Sequence, residues 1–575
     1  MYTISYILSL SRESVLLNLV VYVIVQNQER ENHLEIVFAQ YPTFMAQRNS
    51  MSDNENVSSV LQNEPHLPNS KEVSTSFDDA DSCIDSLQFK LSDEIRMTGG
   101  IRPNTVDVGS NEAKFHESFR LFTDHSSRIR RFNGTLMFGT SNEEQLIKMV
   151  DPKLSTYAII RLAGEKFIQF MESCDGDLLM AGYLFSYQFS SLNKEVARDA
   201  KLIFYLLASA EKVGQKQFDH ARKLLDCCDE LSSSEGDPVQ RLVFYFSKAL
   251  NERIDQETMN PKSLNFWKKQ LLDVEEEMIS MDPTFVAVCK ALPAGLMIQL
   301  AGIQVIVEHV TEKRKIHIID LSIKGGQHHW MLIHALSMES DYHFKHLKIT
   351  AIGTTSKSKI EETCNRLRSF ARSLNVGFSF NVVMVEDILN LEEALLCVDS
   401  DETVIIYSSF FLRSMLAKPD RLEYLFTVLR NAKPSLVIVA EVEANLNSPV
   451  FVSRFIEALF FYGAQFDSLE DCMKNDESNR SNMESSYFSK GIDNVISAEG
   501  EQRTFSKVKV EVWRSFFDRF GMVETSLGVA SLYHANLVLK DFPFGSACTF
   551  KRDGECLILG WKETPLYSLS AWKFI

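Results

Sequence analysis

Several absences narrow the reading before any motif does. Ten cysteines are scattered over 575 residues without a single CxxC pair. Cys227 and Cys228 are adjacent, which suits neither a zinc knuckle nor a simple disulfide framework, so buried thiols in a reducing compartment are expected. Positive charge is in short supply, with 60 Lys and Arg against 77 Asp and Glu and a formal charge of −17. A net negative surface repels phosphate backbones, which argues against nucleic-acid binding through bulk charge. The best linear basic run, Arg128, Arg130 and Arg131, reads as solvated or structural.

Long apolar runs are missing too. Val15 to Val25 is apolar but well short of the roughly 20 residues that span a bilayer. No small-x-small cleavage site follows it in good position, so neither a signal peptide nor a membrane partner is expected. There is no G-x-S-x-G elbow to expose a nucleophilic serine and no HExxH-like pair to hold zinc.

What remains is a globular composition, 45% apolar and 11% aromatic, with an uneven distribution along the chain. Residues 1–44 read as an upstream extension. The region 45–150 reads as largely disordered and acidic: Met51 to Glu94 holds ten acidic residues against two lysines. Such a stretch cannot bury enough apolar surface to offset the entropy of ordering. From about 151 to 310 the periodicity is helical. Phe218, Ala221, Leu224, Leu225 and Cys228 form one amphipathic stripe, and Asp237 before Pro238 forms an N-cap and first-turn pair.

Beyond 311 the pattern changes to short β-branched runs separated by helices. The runs are Ile316–Leu321, Leu347–Ile352, Phe378–Val385, Val404–Tyr407 and Leu436–Val442, with a helical stripe at Ile360, Cys364, Leu367, Ala371 and Leu374. That alternation predicts a parallel, doubly wound sheet. Asp553-Gly554 between two further apolar runs predicts a closing hairpin, both turn positions favouring positive φ. The expected fold is therefore α/β. It is Rossmann-like, of the methyltransferase type, with a mostly parallel sheet, a C-terminal antiparallel hairpin and an α-helical cap.

The segment with most chemical content runs from Ile316, His317, Ile318, Ile319 and Asp320 to Gly325, Gly326 and Gln327. A buried strand ends in a carboxylate, then turns through two glycines into a helix, where such folds bring backbone amides towards a ligand. Asp320, Gly325, Gly326 and Gln327 are thus the candidate pocket. Ser322, Ile323 and Lys324 stand where the first glycine of a cofactor loop belongs, and no acidic residue ends the next strand, so no cofactor is expected. Six histidines lie between His317 and His346. His328 and His329 should point about 100° apart on a helix, which speaks against a metal site and for satisfied or solvated rings.

The motifs resemble a known family. IHIID followed by GGQHHW is similar to the VHIID block of plant GRAS proteins, and residues 203–254 and 347–430 are similar to the two leucine-rich blocks. Pro434, Glu441-x-Glu443-x-Asn445 and the run from Arg454 through Phe461 and Tyr462 resemble the PFYRE block. Trp561 and the stretch ending Ser570, Ala571 and Trp572 resemble the SAW block. Two departures stand out. Lys490-Gly491 occupies the place of an Arg-Glu pair, and the acidic N-terminal region carries no DELLA sequence although the blocks resemble the DELLA-like branch.

The resemblance implies a GRAS-like domain over 151–575, in a non-enzymatic regulator of plant transcription located in the nucleus. Its partners would be DNA-bound transcription factors and other GRAS proteins, as homo- or heterodimers, with indirect DNA contact. Apolar grooves of the helical cap would receive partner helices. The alternative is a methyltransferase-like enzyme using S-adenosylmethionine, or a small-molecule sensor, built on the Rossmann-like pocket.

Overall fold

The computed structural model describes residues 154–173, 192–258, 283–338, 344–353, 356–416, 418–528, 531–532, 539 and 544–575. The apolar run at 15–25, the acidic tract at 51–94 and the arginines at 128–131 lie outside the described residues.

The N-terminal part is a stack of helices: α1 (Thr156–Ser173), α2 (Lys194–Gly214), α3 (Phe218–Leu231) and α4 (Pro238–Thr258). Local chemistry sets their ends. Asn193 caps α2 by accepting the Val196 N–H at 2.8 Å. Asp237 accepts the N–H groups of Val239 and Gln240 at 3.0 Å each, and the Gln240 side chain accepts the Asp237 N–H at 3.2 Å. This reciprocal capping box, with Pro238 at the first helical position, fixes where α4 begins. On α3 the stripe Ala221, Leu224, Leu225 and Cys228 is buried, as its spacing predicts.

Two helices follow, α5 (Pro283–Ala291) and α6 (Pro293–His309), and then the alternating segment. It comprises β1 (Lys315–Asp320), α7 (Gln327–Met338), β2 (His346–Gly353), α8 (Lys357–Ser373), β3 (Phe378–Met384), β4 (Thr403–Ser409), α9 (Pro419–Asn431) and β5 (Leu436–Val442). The chain continues through α10 (Phe451–Cys472), α11 (Glu477–Met483), α12 (Ser489–Ile496), α13 (Val510–Arg519), β6 (Met522–Thr525), β7 (Cys548–Asp553), β8 (Cys556–Trp561) and β9 (Thr564–Phe574).

The nine strands form one sheet in the order β3-β2-β1-β4-β5-β9-β8-β7, with β6 alongside β9. The first five are parallel and the last four join by antiparallel pairing. Both faces are covered, which explains the nearly continuous apolar strands. Ile318, Ile405 and Ile438 pack under α6, α7 and α8. Their neighbours Ile319, Ile406 and Val437 pack on the opposite face, under α9 and α13.

One expectation needs correcting, and one strand lies outside the runs named from the sequence. The closing hairpin turns on Gly554 and Glu555, because Asp553 is still paired with Cys556; only the glycine, at φ 60°, needs the left-handed region. The SAW residues also form a strand of their own. Ser570, Ala571 and Trp572 pair with Val439, Ile438 and Val437, which places β9 between the parallel half of the sheet and the hairpin. Serines at alternate positions weaken the apolar signal that identifies the other strands.

The helical layer is not confined to the 151–310 segment. α10 and α12 share one apolar core with α1–α4, whereas α6 packs against the sheet. Most leucines of α2–α4 lie inside that core. The exposed large apolar side chains among the described residues, such as Leu389, Leu395, Val512 and Val523, all lie outside α1–α6. On the described parts of these helices the leucines therefore serve the core first.

Candidate functional site

The site grows from the end of β1. Asp320 is its last residue and is completely buried. One carboxylate oxygen accepts the Ser322 backbone N–H at 2.8 Å. The other accepts two imidazoles, His328 Nε2 at 2.8 Å and His329 Nε2 at 2.6 Å. Both histidines lie in the first turn of α7, so one strand-end carboxylate ties the helix to the sheet.

This overturns the expectation from helical spacing. The two rings leave the helix in different directions, yet their side chains converge on a single oxygen, with ring centroids 4.2 Å apart. The donor atoms of Asp320, His328 and His329 all lie within 4.8 Å of one another, a two-histidine, one-carboxylate set. A ligating histidine is normally oriented through its other ring nitrogen. His329 Nδ1 is buried without a hydrogen-bond partner, and both Nε2 atoms are engaged by the carboxylate. The arrangement reads as a self-contained hydrogen-bonded lock.

Burial alone would raise the Asp320 pKa. The charge and hydrogen bond of His328, then those of His329, outweigh it and hold the carboxyl well below its ordinary value. Burial, then the charge of His328, pushes His329 down to about 4, the Asp320 contacts offsetting only part of this. Tyr407, from β4, stacks on His328 at 4.8 Å between ring centroids, and burial raises its phenol.

The glycines serve packing. Gly326 has φ 72°, and a Cβ there would stand 2.8 Å from Thr363 Cγ2 and 3.3 Å from Leu367 Cδ1 on α8. Its bare backbone thus admits a neighbouring helix, the role a third glycine plays in nucleotide folds. Gly325 is buried and Gln327 half-buried at the start of α7. Asp320 and Gly326 are both committed to internal contacts.

The remaining motif residues are dispersed. Ile316, Ile318 and Ile319 are sheet core, and His317 is fixed between Glu402 (2.9 Å) and Thr350 (2.8 Å). Pro434 is buried just before β5. Phe461 and Tyr462 sit in the helical core. Trp561 and Trp572 are 1% and 2% exposed, and the Trp572 indole N–H donates to Ser570 Oγ at 2.8 Å. Gly491, in the place of the expected Arg-Glu pair, leaves room for the Tyr462 hydroxyl, which a Cβ would meet at 2.2 Å.

Sequence reasoning missed a set of buried charges. Arg241, 1% exposed, donates through Nε to both oxygens of Glu484 at 3.1 Å. Arg454, equally buried, donates to the Val495 and Ser448 carbonyls at 2.9 and 2.8 Å and pairs with Glu499. Lys507 and Glu441 are buried as well. Arg241 and Glu484 lie 243 residues apart, and no local pattern announces such a pair.

The family model of the GRAS domain matches residues 202–573. The chain is 28% identical over 378 residues to the DELLA protein GAI1 of Vitis vinifera, covering 65% of this chain and 62% of that protein. It is 30% identical over 378 residues to the DELLA protein GAIP of Cucurbita maxima, with the same shares. The match therefore spans somewhat under two thirds of these relatives' length. Among solved structures, the crystal structure of SCL7 in Oryza sativa superposes with a TM-score of 0.56 at 25% identity, covering 65% of this chain and 99% of that one. With the model matching well over half of its residues, the chain belongs to the GRAS domain family.

Proposed function

We propose that the protein is a nuclear regulator of plant transcription that works by binding other proteins and carries out no catalysis. The family match across residues 202–573 carries this reading. The strand-end chemistry supports it. The Asp320 carboxylate is held by two imidazoles and a backbone N–H, which leaves little of it for a ribose or a substrate. The net charge of −17 disfavours a direct phosphate grip, so promoters are reached through DNA-bound partners and other GRAS chains.

The test is affinity capture of the tagged full chain from plant nuclear extract, with nuclease treatment to remove DNA bridging. Sequence-specific DNA-binding proteins or GRAS chains are expected among the partners identified by mass spectrometry. Recovery of neither class, from extract in which the chain is folded and abundant, contradicts the reading. Micromolar binding of S-adenosylmethionine with methyl transfer would replace it with the enzymatic alternative.

A further inference from the structure

A second group of residues lies beside the Asp320 lock and takes no part in it. The strand order reverses direction between β1 and β4. In open parallel sheets, ligands bind outside the carboxyl ends of the strands at such a switch point. Two residues in the loops there are strained. Lys324, after β1, has φ 46°, and Phe410, after β4, has φ 57°. Non-glycine residues rarely occupy this region, and where they do the strain tends to mark a functional site.

The same loops assemble cations on aromatic faces. Lys324 Nζ lies 5.2 Å and the Arg413 guanidinium 5.7 Å from the Phe410 ring centre. Arg413 also lies 5.4 Å from the ring of Phe505, which Lys507 Nζ approaches at 5.8 Å from its own position. The backbone fixes this relation, since the Ser506 N–H donates to the Arg413 carbonyl at 3.1 Å. Lys324, Phe410, Arg413 and Phe505 are half-exposed, whereas Lys507 is 7% exposed behind them.

Lys507 is the anomaly. Its amino group donates to the Tyr462 hydroxyl at 3.1 Å and faces the Phe461 ring at 4.4 Å. Among the described residues, no carboxylate forms a salt bridge with Lys507 or with Arg413. Glu441, a buried acid beside them, accepts the Arg413 backbone N–H on Oε1 at 3.3 Å, and its carboxyl also feels the charges of Arg413 and Lys324. Burial, and then the charge of Arg413, pushes the Lys507 amine well below its ordinary value. A buried amine is ordinarily paired with an acid; Lys507 has none within salt-bridge reach among the described residues and shares the Phe505 ring with the half-exposed Arg413, whose guanidinium supplies positive potential there. In a chain otherwise rich in acid, that potential is local.

We propose that this cluster binds the oxyanion group, carboxylate or phosphoryl, of a small ligand whose flat apolar body lies on Phe410 and Phe505. The anion sits between Arg413 and Lys507, with Lys324 at the rim. The site is separate from the partner-binding reading and survives its failure.

The full chain is titrated with inorganic phosphate and, separately, with benzoate, at ionic strength held constant with sodium chloride, and binding is followed by calorimetry and melting temperature. Saturable one-site binding of at least one probe is expected; which one binds separates the phosphoryl from the carboxylate class. Lys507→Met keeps the stem and removes a buried amine that lacks a counter-ion, so it should remain folded. Its affinity should fall by about tenfold or more, as should that of Arg413→Gln. The proposal is overturned if neither probe saturates, or if folded Lys507→Met binds as tightly as the wild type.

Discussion

At the scale of single residues, the decisive feature is that Asp320 turns inward. His329 is neutral in the folded protein at pH values where an unfolded histidine is charged. Its contribution is therefore complete above an ordinary histidine value of about 6.5 and is lost as pH falls towards its folded value of about 4. The wild type should accordingly lose its advantage over His329→Gln across that window, by at most about 3 kcal/mol. Urea unfolding of both proteins at a series of pH values measures the difference. Glu441 and Glu484, both raised to about 7 chiefly by burial, act in the opposite sense: their contribution is full in acid and is lost as pH rises through 7. They are common to both proteins and cancel.

Gly326 gives a second test at this scale. Gly326→Ala must hold a side chain at φ 72° and place it 2.8 Å from Thr363 Cγ2, at a cost of about 1–3 kcal/mol. Adding Thr363→Ser removes that methyl and keeps the hydroxyl that donates to the Lys324 carbonyl at 3.3 Å. The double variant should recover part of the loss in denaturant unfolding. An equal loss in single and double variants would assign the whole cost to the backbone.

At the scale of elements, much was legible in the sequence, and for identifiable reasons. The α3 stripe and the Asp237-Pro238 start of α4 follow local rules that need only a few residues. The five parallel strands show as apolar runs because both faces of the sheet are covered. β9 escaped because alternating serines dilute its pattern, although it lies at the centre of the antiparallel half. The convergence of His328 and His329 escaped because helical geometry gives the direction of a Cβ and not the reach of a ring.

The buried ion pair Arg241–Glu484 was beyond sequence reasoning, since it joins α4 to a segment more than 200 residues away. It carries an element-scale prediction. Arg241→Met leaves Glu484, which is completely buried, without the Nε–H that both its oxygens share and with only Arg480, 3.7 Å away, as a cationic neighbour, and should destabilise the helical layer by about 3–5 kcal/mol. Arg241→Met combined with Glu484→Gln should be markedly less destabilised, because the fully buried carboxylate is gone while Arg480 keeps Glu470 and Glu477 as partners. Chemical denaturation of the three proteins decides the matter, and a double variant no better than the single would refute the charge argument.

At the scale of the whole molecule, the sheet, its two covering layers and the helical stack form an interior in which the family's signature residues are mostly structural. Ile316, Ile318, Ile319, Trp561, Ala571 and Trp572 are all core. Their identities maintain a shape, and the working surface has to lie on what that shape presents. The net charge of −17 fits a molecule that meets DNA through others.

That claim is tested most directly by mobility shift at physiological salt, using the purified full chain and a DNA-binding partner recovered from nuclear extract. The account predicts no shift of the partner's DNA site by the chain alone at micromolar concentration. It also predicts a clear change, supershift or release, when the chain is added to the partner–DNA complex. A salt-dependent shift by the chain alone, or a partner–DNA complex indifferent to its addition, would contradict it.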